Sequence, residues 1–146
     1  MGCTCVAALF SGHKAILGNV GDSRAYLLTA TGIQQQTVDH SLVARLVATG
    51  QITREEAEQH PQKNVIYRVV GDKPQIEVDL YETQLGIGDA ILLCSDGLSG
   101  MVPDKEIWQI WRTSTSPQEA CDRLVEAANS AGGLDNISVI VIQLTH

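Results

Sequence analysis

The chain has 146 residues, enough for one compact domain with a real core. Aromatic residues make up only 4% against 44% hydrophobic, so that core must be built from Val, Ile, Leu and Ala, which suits sheets with covering helices. The net charge of −7 argues against a nucleic-acid backbone or an anionic membrane as the main partner, although bound cations can reverse the local field for a phosphate. No apolar stretch of spanning length and no secretory leader are recognisable, so the expectation is a soluble, cytoplasmic protein.

Thr4 to Phe10 is apolar and turn-free, Ser11-Gly12-His13 is a turn signal, and Lys14 to Val20 resumes the run, which predicts a β-hairpin. Gly21-Asp22-Ser23 breaks it. Arg24 to Thr29 predicts a third strand, and Ile33 to Val38 a more polar fourth. Leu42, Val43, Leu46 and Val47 then recur at helical spacing, with Gly50 suited to the position past the helix end. Thr53-Arg54-Glu55-Glu56 is a capping-box sequence, and His60-Pro61 ends the short helix it opens. Val65 to Val70 and Gln75 to Tyr81 return to strand character. Gly86 to Asp89 turns into the Ala90 to Cys94 strand, whose unbroken apolar run predicts burial on both faces. Pro103 starts a helix carrying Ile107, Ile110 and Trp111. Ser116-Pro117-Gln118-Glu119 is a second capping-box sequence, and Gly132-Gly133 closes its helix. Ile137 to Leu144 predicts the last strand. Strands interrupted by paired helices are not the alternating pattern of a parallel sheet. The fold class expected is α+β, antiparallel sheets packed together with helices outside, in one domain without a linker or repeat.

Cys3, Cys5, Cys94 and Cys121 lack zinc-site spacing and are expected to be buried free thiols. His13, His40 and His60 have no spacing that suggests a joint site, and each is expected in a turn or on the surface. No Gly-rich nucleotide loop or Gly-x-Ser-x-Gly elbow is present. The candidate metal ligands are Asp22, Asp96 and Asp135. Asp22 follows one predicted strand, Asp96 follows the most apolar one, and Asp135 precedes the last. A carboxylate at the lip of a core is costly unless paired, hydrogen-bonded or coordinating a cation. Hard divalent cations take such oxygens. Each aspartate also has a plainer alternative: Gly-Asp and Asp-Gly are turn dipeptides in which the side chain bonds its own backbone.

Five segments occur together and in order: Gly21-Asp22-Ser23-Arg24-Ala25-Tyr26, Asp39-His40-Ser41, Asn64 through Arg68 to Gly71, Ser95-Asp96-Gly97-Leu98, and Asp135-Asn136-Ile137-Ser138. In this the chain resembles the metal-dependent serine/threonine phosphatases of the protein phosphatase 2C type, in their bacterial form, over essentially its whole length. The resemblance implies a β-sandwich of two antiparallel sheets flanked by helices. It implies that Asp96 and Asp135 bind a catalytic manganese or magnesium pair and that Asp22 helps hold a third, weaker ion. The Asp39 to Arg68 excursion corresponds to a flap that influences substrate choice. The implied chemistry is in-line attack of activated water on phosphorus, with cations offsetting phosphoryl charge. Phosphoprotein substrates of a serine/threonine kinase are the implied partners.

The departures matter as much. The family's phosphate-binding arginine and its Asp-Gly-His-Gly segment, with the metal-bridging aspartate and the histidine acid, have no match here. The chain is therefore expected to be the C-terminal portion of a single domain, with no catalytic residue beyond the metal ligands and little activity alone. The alternative is a non-catalytic phosphatase-like binding or regulatory module. Gly100 stands where the family often has an aspartate, which implies a weakened third site. Uncovered sheet edges imply self-association.

Overall fold

A computed structural model describes residues 1–146. Strands β1 (Cys5–Ser11), β2 (Lys14–Val20), β3 (Arg24–Thr29) and β4 (Gly32–Gln35) lead into helices α1 (Leu42–Ala48) and α2 (Arg54–Glu58). Then come β5 (Asp79–Gln84), β6 (Ala90–Cys94), α3 (Asp96–Ser99), α4 (Asp104–Thr113), α5 (Pro117–Ser130) and β7 (Val139–Gln143). One sheet has the order β1-β2-β5 and the other β4-β3-β6-β7; every pairing is antiparallel. This is the α+β sandwich that the sequence predicts.

The two-residue period of a strand explains the layers. Along β6, Ile91 and Leu93 face the other sheet and pack with Ala15 and Leu17 of β2, Ala25 of the neighbouring β3, and Leu85 just past β5. Ala90, Leu92 and Cys94 face the opposite way, into a core with Tyr26, Leu28, Leu98, Ile107, Trp111, Leu124 and Ala128. All five β6 residues are buried, as an apolar run without alternation requires. The second core is closed by α4 and α5, whose apolar stripes lie on the four-stranded sheet. The three-stranded sheet has no such cover: Leu9, Ile16 and Leu80 are exposed on its outer face.

Local signals account for most boundaries. Thr53 and Glu56 form the complete capping box. At Ser116 only half of the expected box forms: Ser116 Oγ accepts from the Glu119 N–H, while the Glu119 carboxylate turns to Thr115. The Val65 to Val70 segment is not a strand. Its long-range backbone bonds go to three separate places, one each to Leu42 and His40 and a reciprocal pair to Cys3, so no neighbour offers a continuous ladder. The strand expected at Gln75 begins later, at Asp79, and runs to Gln84. The four cysteines are free, but only Cys94 is buried; Cys3 and Cys5 are exposed. No helix is long and apolar enough to cross a membrane.

The alternation on β2 makes a direct test. Leu17→Ala, in the inter-sheet core, is expected to cost about 2–5 kcal/mol of stability, whereas Ile16→Ala next to it costs about 1 kcal/mol or less. Urea-denaturation midpoints measure both, and equal losses would contradict the register.

Candidate metal centre

Asp96 is the first residue of the single-turn α3, with Ser95 as N-cap. Ser95 binds the segment that leads into β7. Its N–H donates to the Ser138 carbonyl (3.1 Å), its Oγ accepts from the Ser138 N–H (3.0 Å), and its hydroxyl donates to the Asn136 carbonyl (3.2 Å). Gly97 permits the closest approach. A Cβ at that position would lie 2.1 Å from the Asn136 oxygen, so no other residue fits without moving the backbone. These contacts bring Asp135 beside Asp96, two residues far apart in sequence.

Asp22 joins them from the β2–β3 turn. Gly21 has φ +112°, and a Cβ there would lie 2.4 Å from Thr4 Cγ2. The next residue but one along β3, Arg24, holds Asp39 through two short bonds: Nε to Oδ1 at 3.0 Å and Nη2 to Oδ2 at 2.8 Å. Arg24 Nη1 also donates to the Tyr26 hydroxyl (2.9 Å), which donates to Asp104 Oδ1 (3.1 Å). Arg24 thus ties the segment that leads into α1 to the sheet and, through Tyr26, to α4.

The electrostatics show which carboxylates lack a counter-charge. Burial, then the charge of Asp135, pushes the Asp96 carboxyl above the usual range. Burial, then the charges of Asp96 and Asp39, pushes Asp22 up to about 6. The ion pairs of the protein involve Lys14–Glu82, Arg24–Asp39, His40–Asp79, Arg68–Glu77 and Arg68–Asp79, and none of the three candidates. The structure therefore places Asp22, Asp96 and Asp135 around one rim at strand ends. It does not draw them into a group of three close enough to hold an ion by themselves. An oxygen-only, uncompensated acidic rim fits a hard divalent cation that keeps several waters. It is an incomplete ligand set. Asp135 also does what the plainer alternative says: its Oδ1 accepts from the Asn136 N–H at 2.7 Å. Gly100 closes α3 and is exposed, so no carboxylate enters the rim there.

His40 corrects the sequence reading. It is neither a turn nor a surface residue but 2% exposed, with both ring nitrogens engaged. The spacing of histidines could not reveal this. The signal available was its place between Asp39, which pairs with Arg24, and Ser41, which caps α1.

The family described as Protein phosphatase 2C matches residues 1–129. The serine/threonine phosphatase stp of Listeria welshimeri is 43% identical over 143 residues, which are 98% of this chain and 57% of that protein. The crystal structure of the Mycobacterium tuberculosis serine/threonine phosphatase PstP/Ppp superposes with a TM-score of 0.94 at 41% identity, covering 100% of this chain and 61% of that one. The catalytic domain of a serine/threonine phosphatase PstP, in complex with two manganese ions, superposes with a TM-score of 0.89 at 38% identity, covering 100% of this chain and 60% of that one. The chain belongs to the protein phosphatase 2C family. It spans about 57% of the length of the curated relatives it matches first.

Two outcomes follow from the rim. Gly97→Ala forces Asn136 away and should separate Asp96 from Asp135, with a stability loss of about 2 kcal/mol or more by urea denaturation. For Asp22 the folded state keeps its proton up to about pH 6, whereas the unfolded chain releases it near the ordinary 3.8. Stability without divalent ions should therefore fall as pH rises from about 4 to 6. Asp22→Asn should lessen that fall, leaving the share that the raised Asp96 contributes, and give a higher Tm than the parent at pH 7.5 with no gain at pH 4. A parallel pH profile for the two proteins would contradict the raised Asp22.

Proposed function

We propose that this chain carries the acidic half of a metal-dependent phosphatase centre acting on phosphoserine and phosphothreonine in proteins. The observation that carries the proposal is the uncompensated rim of Asp22, Asp96 and Asp135, in a chain of the protein phosphatase 2C family. Asp96 and Asp135 are assigned to the catalytic manganese or magnesium pair, and Asp22 to a weaker third ion. The two manganese ions in the PstP relative support the choice of metal. Bound there, such ions supply activation of water and charge neutralisation at the phosphoryl oxygens. The residues of this chain do the positioning. Ser95 and Gly97 fix Asp96 against the Asp135 turn, Gly21 shapes the approach of Asp22, and Arg24 with Asp39 anchors the flap beside them.

Residues 1–146 are assigned to the C-terminal portion of one such domain, cytoplasmic in location. Because the three carboxylates do not form a closed ligand group, full turnover is assigned to the whole domain and little or none to the chain alone. The exposed Leu9, Ile16 and Leu80, with β1 at a sheet edge, support self-association of the isolated chain.

The test is a manganese titration followed by calorimetry, with a phosphothreonine peptide assayed in parallel. The expected result is saturable binding that Asp96→Ala abolishes, with no metal-dependent peptide turnover. Absence of binding would sink the metal assignment and favour the non-catalytic module; robust turnover by this chain would sink the division of the centre.

A further inference from the structure

We propose that His40, as a neutral imidazole with its proton on Nε2, is the positioning residue for Asp22 and couples it to the flap through Asp79 and Arg68. Its bearing on a metal ligand rests on the functional reading above; the coupling itself rests on hydrogen bonds alone.

The tautomer follows from the partners. Nδ1 lies 2.9 Å from the Gly21 backbone nitrogen, which can only donate, so Nδ1 must accept and bears no hydrogen. Nε2 lies 2.7 Å from Asp79 Oδ2, a carboxylate that can only accept, so Nε2 carries the proton. Arg68 Nη1 is 3.1 Å from the same nitrogen and cannot donate to it; it donates to Asp79 Oδ1 at 3.0 Å and the Glu77 carbonyl at 3.3 Å. These bonds from His40 and Arg68 hold the Asp79 carboxyl below its usual range. An imidazolium would set a second N–H against that of Gly21.

The backbone doubles the link. The His40 N–H donates to the Gly21 carbonyl at 2.9 Å, and the His40 carbonyl accepts from Tyr67 at 3.0 Å. Gly21 is thus gripped at both its N–H and its carbonyl by one buried residue, one position before Asp22. The other end of that residue meets Arg68 and Tyr67, and the Tyr67 ring is tilted 5.8 Å from the imidazole with Arg45 stacked on it at 4.1 Å. Arg45 and Tyr67 are exposed, so a continuous set of contacts joins this surface to the Asp22 turn.

The experiment is nitrogen NMR with amide hydrogen exchange on the 146-residue chain. The His40 nitrogen shifts should report the Nε2–H tautomer. Asp79→Ala should speed exchange at the Gly21 amide by about tenfold while amides of β3 and β6 stay unchanged. In His40→Asn the shorter side chain keeps an acceptor near Gly21 but reaches no further. There Gly21 should stay within about threefold of the parent, and adding Asp79→Ala should change nothing more. An Nδ1–H tautomer, an unaltered Gly21 amide in Asp79→Ala, or equal acceleration in the His40→Asn background would each overturn the coupling. Manganese is a separate arm. Paramagnetic broadening at Asp22 should weaken in Asp79→Ala relative to Asp135. No broadening anywhere in the parent protein sinks the metal reading and leaves the exchange results to decide the relay.

Discussion

A strand with no face left for solvent governs this molecule. Every side chain from Ala90 to Cys94 is buried, alternately against the second sheet and against α4 and α5. Both cores therefore meet on one segment, and the chain can leave it only at the ends. Asp96 stands at one of those exits, just past a strand buried on both faces, and the cost of that position is a carboxylate partly withdrawn from water.

The acidic side chains divide into two groups. Asp39 and Asp79 have arginine or histidine partners at close range and bind segments together. Asp22, Asp96 and Asp135 form no ion pair: the charge of Asp96 raises Asp22 and that of Asp135 raises Asp96, with Arg24 offsetting Asp22 only from a distance. A chain with many carboxylates could have placed a basic residue at the rim. That it places Arg24 two residues from Asp22, yet directs the guanidinium at Asp39 and Tyr26, keeps the rim negative. Stability is given up at the place where chemistry is proposed, a familiar division in enzymes.

Much of the fold is legible in the sequence, for identifiable reasons. The hairpin at Gly12, the strand at Ala90 and the helix opened by Thr53 each have a strong local signal: a positive-φ glycine, an unbroken apolar run, a reciprocal cap. Val65 to Val70 misleads because β-branched residues favour extended backbone whether or not a neighbour strand exists to pair with it. The short helix at Asp96 is hidden because four residues are too few for a period. The aspartates are legible as candidates because they fall at strand ends in a familiar order. His40 is not, because its side-chain partner Asp79 lies beyond the intervening helices and is brought to it only by the packed fold.

Burial on both faces of β6 also changes the chemistry of a residue with no part in the site. Cys94 is 3% exposed, and burial pushes its thiol up to about 12, while Cys3 and Cys5 sit in water. Alkylating reagents attack the thiolate, so the two amino-terminal sulfurs should label at once and this one only when the sandwich comes apart. The protein thus contains its own clock for global opening, set into the strand on which both cores depend.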